Sequence, residues 1–166
     1  MKICVRDAFA SHCYRKEYSF VFDNMDLSDF TAGATADTVH THAVIEASDG
    51  NVTCRLTIKA DFNAICSRCA SKFILPFSVE TVKQIKKHDT GEFEDAIYVD
   101  AGGCFDIVCE VQSQICFEFP AKPLCSEDCK GLCPVCGCDL NKSSCKCDTR
   151  IPDRRLDVLR KLIDNN

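Results

Sequence analysis

Apolar and polar positions alternate through much of the first hundred residues. Tyr18, Phe20 and Phe22 recur every second position. So do Val39, Thr41, Ala43 and Ile45, then Val52, Cys54, Leu56 and Ile58, then Phe73, Leu75, Phe77 and Val79. A period of two buries one face of an extended segment and wets the other, so each set predicts a strand. Ser48-Asp49-Gly50-Asn51 links the second and third sets and predicts a hairpin. Pro76 has no N–H to give a neighbour, which points to an edge position or a bulge. Asp26 to Phe30 could make one helical turn, and Ala96 to Val99 predicts a short strand.

A change of period follows. Phe105, Val108, Cys109, Ile115, Cys116 and Phe119 recur at helical spacing, predicting a helix over about 106 to 118 with Cys109 and Cys116 on its core stripe. Asp106 suits its N-cap, and Pro120 and Pro123 end it. Further on, Ile151-Pro152 leads into DRRLDVLRKLI, a short helix capped by Asp153. Leu156, Leu159 and Ile163 give that helix a narrow apolar stripe, fit either for packing on its own sheet or for a partner. The strands are too closely spaced for repeated parallel crossovers. The expected fold class is α+β: an antiparallel curved sheet or open β-barrel, one packed helix, and a C-terminal zinc-knuckle tail. The expected division is a β-rich domain with one helix at 1–123, a Cys-rich metal-binding segment at 124–150, and the short helix at 151–166.

Composition changes the picture through one residue type. The chain has 166 residues, 46% of them hydrophobic, which suits a packed core, but 15 are cysteine. No apolar run approaches the ~18–20 residues of a membrane helix. The first twenty residues lack the apolar stretch of a signal peptide, so the expected location is the cytoplasm. Thiols there stay reduced, and clustered ones bind metal more often than each other. A disulfide framework is the competing reading.

Spacing sorts the sulfurs. Cys133-Pro134-Val135-Cys136-Gly137 is a knuckle turn that can aim two thiolates at one tetrahedral ion, and Cys145 and Cys147 complete a set of four. Cys66-Ser67-Arg68-Cys69 is half of a second set, with Cys125 and Cys129 as the nearest unclaimed partners. Cys138 is a spare that could replace Cys145 or Cys147. One or two structural Zn²⁺ sites are expected, although four thiolates also serve iron. The scattered Cys4, Cys13, Cys54, Cys104, Cys109 and Cys116 read as small core residues.

Other chemistries find little support. Redox C-x-x-C pairs open a helix, whereas Cys66 and Cys69 precede a strand-like run. His40 and His42 read as exposed strand histidines, and Glu92, Glu94 and Asp95 as an acidic loop. Gly102-Gly103 is not followed by the Gly-Lys-Ser/Thr of a phosphate loop. No enzyme activity and no small-molecule substrate are expected. The net charge of −5 is not that of a protein that coats nucleic acid. Basic residues nevertheless gather at Arg68, Lys72, Lys83, Lys86 and Lys87, and again along the tail. Arg68, Lys142, Lys146 and Arg150 are the candidate contacts to RNA or a partner.

CSRC with its following strand, the acidic stretch with IYVD, a helix ending in FP, and PLCSEDCKGLCPVCGCDLNKSSCKC together resemble the YceD family, the large ribosomal RNA subunit accumulation proteins, in the Cys-rich form of Gram-positive bacteria. The resemblance runs from about Tyr18 to Leu162. CGCDLN stands where the family usually has a non-cysteine residue before Asn-Leu-Asn, and Pro152-Asp153-Arg154 stands for its usual Asp-Pro-Arg. The resemblance implies a role in synthesis, processing or stability of 23S rRNA and in large-subunit biogenesis. It implies precursor 23S rRNA or large-subunit ribosomal proteins as partners, and no established catalysis. The alternatives are a zinc-stabilised protein-interaction module and, behind it, a dithiol redox protein.

Overall fold

A computed structural model describes residues 1–25, 27, 33–87 and 95–148. The helix expected at 151–166 and Arg150 lie outside the described residues, as does all but Leu27 of the turn expected at 26–30.

Four long strands form an antiparallel meander: β2 (Cys13–Asp23), β3 (Thr35–Ser48), β4 (Asn51–Ile65) and β5 (Lys72–Lys86). They follow β1 (Lys2–Cys4) and α1 (Arg6–Ala10). The expected hairpin is present. Asp49 and Gly50 both take positive φ (51° and 79°), the twist that a tight two-residue turn needs to match its strands. Alternation along β4 is complete, with Val52, Cys54, Leu56, Ile58, Ala60, Phe62 and Ala64 all buried. In β3 a bulge between Ala36 and Val39 resets the phase, so that Val39, Thr41, Ala43 and Ile45 all face inward. His40 is exposed and His42 half-exposed on the outer face, as expected.

The sheet is curved and not closed, with order β2-β3-β4-β5-β6. The edge strand β6 (Ala96–Tyr98) runs parallel to β5, contrary to the expectation of antiparallel neighbours alone. The pairing is brief, with Gln84, Ile85 and Lys86 opposite Ala96, Ile97 and Tyr98. Because β6 covers only Gln84 to Lys86, Pro76 has no strand beside it on that side among the described residues. It occupies the edge position that a missing N–H allows.

A second, two-stranded sheet pairs β1 with β7 (Cys104–Asp106). Strand β7 leads directly into α2 (Ile107–Glu118), whose N-cap Asp106 accepts from the Val108 N–H at 3.0 Å. The helix shares one core with the inward face of the large sheet. Ile107, Val111, Gln114, Ile115 and Phe119 form its buried stripe, and Phe119 meets Phe62 edge-on at 5.0 Å. Cys109 and Cys116 are exposed, a correction to their expected core position: the stripe set by Ile107 and Ile115 leaves both out of phase. Of the six scattered cysteines, only Cys54 lies in the core. Cys13 is exposed, and Cys4 and Cys104, register partners across β1 and β7, form a disulfide, a correction both to their expected core position and to the expectation that the thiols stay reduced.

Lys83 also departs from expectation. It is 8% exposed and pairs with Asp95 at 2.9 Å and Glu110 at 3.6 Å, tying β5 to α2. A buried ammonium needs such partners, so this lysine belongs to the core and leaves the expected basic patch.

Candidate metal centres

The turn from β4 to β5 is the first knuckle. Cys66 N–H donates to Ser71 O at 2.9 Å and Ala70 N–H to Cys66 O at 2.9 Å, folding the loop tightly around the two sulfurs. Ala70 carries a φ of 55° there. Cys133 to Cys136 repeat the geometry: Gly137 N–H donates to Cys133 O at 2.9 Å, and Gly137 takes a φ of 72°. The same left-handed turn thus falls on alanine in one knuckle and on glycine in the other.

The structure brings together both expected sets of four. The Sγ atoms of Cys66, Cys69, Cys125 and Cys129 lie within 4.8 Å of one another, as do those of Cys133, Cys136, Cys145 and Cys147. In the first set Cys66 is 3.8 Å from Cys129 and Cys69 is 3.7 Å from Cys125. Four thiolates bonded to one tetrahedral ion at about 2.3 Å have their sulfurs about 3.8 Å apart. The first cage is mostly buried, with Cys66, Cys69 and Cys129 at 2%, 7% and 5% exposure and Phe73 and Leu124 against them. In the second, Cys133 is buried and Cys136 is exposed. Each cluster could bind a metal ion.

Backbone N–H groups prepare the sulfurs for charge. Burial works to raise the Cys66 thiol, but N–H donors from Cys125, Cys69 and Arg68 outweigh it and bring it to about 6. Cys133 reaches about 6 through the N–H groups of Cys136 and Val135. The sulfurs that face these thiolates respond oppositely. Cys125 is pushed up to about 12 by Cys66 and by burial, and Cys147 to about 12 by Cys136 and by burial. Crowded sulfurs cannot all ionise unless a cation joins them. Cys138 also reaches about 12 beside Cys136 and Cys145, so a fifth sulfur adjoins the second cage. Its backbone meanwhile serves the knuckle, its O accepting from Cys133 N–H at 2.9 Å.

Three residues join the cages in ways that spacing did not foretell. Arg68 Nη1 donates to Glu127 O at 3.0 Å and to Cys129 O at 2.9 Å, while Arg68 O accepts from Leu132 N–H at 3.1 Å. Its guanidinium is therefore a strap between knuckle and tail. Asn141 Nδ2 donates to Cys129 Sγ at 3.4 Å, and Asn141 Oδ1 accepts from Lys130 N–H at 2.8 Å. Gly131 is the third: it holds φ at 74°, and a Cβ there would stand 3.0 Å from Arg68 O. The C-x-x-C spacing marked the sulfurs, but nothing in it marks a partner some sixty positions away. Lys142 is exposed and pairs weakly with Asp139 at 3.5 Å, and Lys146 is exposed.

A family model described as large ribosomal RNA subunit accumulation protein YceD matches residues 54–163. That span contains all eight clustered sulfurs. No curated protein and no solved structure matches the chain.

Proposed function

The chain belongs to the YceD family, and from that membership we propose that it is a cytoplasmic, non-catalytic zinc protein acting in the accumulation of 23S rRNA and the biogenesis of the large ribosomal subunit. The observation that carries this reading is the coincidence of the family match with the two sulfur cages. Zn²⁺ suits four thiolates at these separations. Four protein ligands would close each site and leave no position for substrate, which favours a structural part for the metal. The cages and the Arg68 strap would hold a tail of very small core in one shape, lowering the entropy cost of recognition.

Lys142 and Lys146 on that tail are the phosphate contacts we favour, with precursor 23S rRNA or a large-subunit ribosomal protein as the partner. Leu132 and Val135, 40% and 52% exposed on the same tail, favour a protein surface within the partner. The test has two arms. Elemental analysis of the purified protein should give a zinc-to-protein ratio near two. Deletion of the gene should lower 23S rRNA relative to 16S rRNA, with the wild-type gene restoring it and a Cys66→Ser/Cys133→Ser double variant failing to. Unchanged 23S levels on deletion would refute the proposed role.

A further inference from the structure

A hollow of about 490 Å³ lies between α1 and the β6–β7 turn, walled by Arg6, Phe9, Lys87, Val99, Asp100 and Gly103. It sits at the opposite end of β5 from the sulfur cages. The first knuckle precedes Lys72 and the hollow follows Lys86, which separates them by about 45 Å along the strand.

Two cations, Arg6 and Lys87, line it, and neither has a carboxylate partner among the described residues. Arg6 Nε and Nη2 both donate to Gly102 O, at 3.0 and 2.6 Å, which fixes the guanidinium and leaves Nη1 without a partner among the described residues. Lys87 Nζ lies over the Phe9 ring at 4.9 Å and makes no ion pair among the described residues. Asp100 is the one acid in the wall among the described residues, and its carboxylate is occupied by Lys2 Nζ at 2.7 Å and by the N–H groups of Gly102 and Cys104. Phe9 is half-buried and packs on the main core, leaving ring surface for the hollow.

We propose that this hollow is a subsite for one nucleotide of a single-stranded RNA, the base stacking on Phe9 and its phosphate lying between Arg6 and Lys87. The inference rests on the RNA-directed function proposed above. A ring face with adjoining cations is the arrangement by which proteins hold unpaired bases, since stacking tolerates any base and the cations track the backbone. A base taking the ring face would release the Lys87 ammonium for the phosphate. Two cations and one ring bind a free nucleotide weakly. They gain effect when the same strand is held elsewhere on the protein, which raises its local concentration.

The test is fluorescence anisotropy of a labelled short single-stranded RNA with the metal-loaded full-length protein, across a range of salt. Arg6→Gln and Lys87→Gln should each weaken binding about five-fold and lower the salt slope by about 0.7. Phe9→Leu should weaken it about five-fold or more with the slope unchanged, and Phe9→Tyr, which keeps a ring, should bind like the parent. All four should retain the parent's metal content, because the cages lie far away. Parent-like affinity in the Arg6 and Lys87 variants would overturn the subsite even if tail variants still abolish binding. Competition by adenosine monophosphate as effective as by RNA would overturn the assignment to a polymer. Absence of any RNA binding by the parent would overturn the subsite as well, while the role in 23S accumulation would still be judged by the deletion strain.

Discussion

Gly131 crosses over the first knuckle with a φ of 74°, and an added Cβ would meet Arg68 O at 3.0 Å and Arg68 Cβ at 3.4 Å. Gly131→Ala therefore brings two penalties. The left-handed backbone costs an L-residue about 1–2 kcal/mol. Retreat from the Arg68 carbonyl stretches or breaks the Leu132 N–H bond to Arg68 O, now 3.1 Å, worth about 1 kcal/mol. The sum, about 2–3 kcal/mol, falls on the docking of the tail against the β4–β5 turn. The first cage draws two sulfurs from each side of that junction, whereas the second draws all four from 133 to 147. Metal affinity of the first site includes the docking energy; that of the second does not. We expect the first site to weaken about 30- to 150-fold and the second to change little, on the scale of about 1.4 kcal/mol per factor of ten. Chelator competition resolves the two affinities, with Cys66→Ser and Cys133→Ser variants identifying each. An equal loss at both sites, or no loss at the first, would refute the reasoning.

Further expectations follow from the same geometry. Ala70→Gly should tighten the first site up to about ten-fold by relieving the φ of 55°, and Gly137→Ala should weaken the second by a similar factor, since its added Cβ meets nothing within 4 Å; isothermal titration with zinc compares them. In the metal-free protein the Cys66 and Cys133 thiols are depressed from 9.0 to about 6. Their thiolates therefore contribute stability that is complete above pH 9 and lost as pH falls through about 6. Metal retention should likewise fall more steeply below pH 6, because two more sulfurs must then give up protons; zinc release followed across pH 5 to 8 reports this. Exhaustive chelation should open the tail to proteolysis at Lys130 and Lys142 while the far-ultraviolet sheet signal persists, since the core beneath α2 contains no cage sulfur. Alkylation under denaturing, metal-free conditions should label two cysteines, Cys4 and Cys104, only after reduction.

How much of this could be read from the residues depended on the range of the interaction. The four long strands were legible because an antiparallel meander with one wet face writes its burial into the chain at period two, as in Val52 to Ile58. Both sulfur quartets were legible because knuckle geometry restricts ligand spacing, and the local set left few sulfurs for the other. Strands β1, β6 and β7 have three residues each, too short to show a period, and α1 has five. The face of α2 was misjudged at Cys109 and Cys116 because cysteine fits either side of a helix; the core shared with the sheet, which takes Ile107, Val111 and Ile115, decides. The roles of Arg68, Asn141 and Lys83 were hidden because each depends on a partner brought near only by the finished fold.

The first cage joins Cys66 to Cys129 across sixty-three positions of chain. During translation the β4–β5 hairpin can emerge and pair while its two thiolates still await the rest of their set. A nascent protein halted between the halves would present an open bidentate perch to any soft cation nearby. Completion of the quartet thus serves as a molecular receipt that the ribosome has read past the second half.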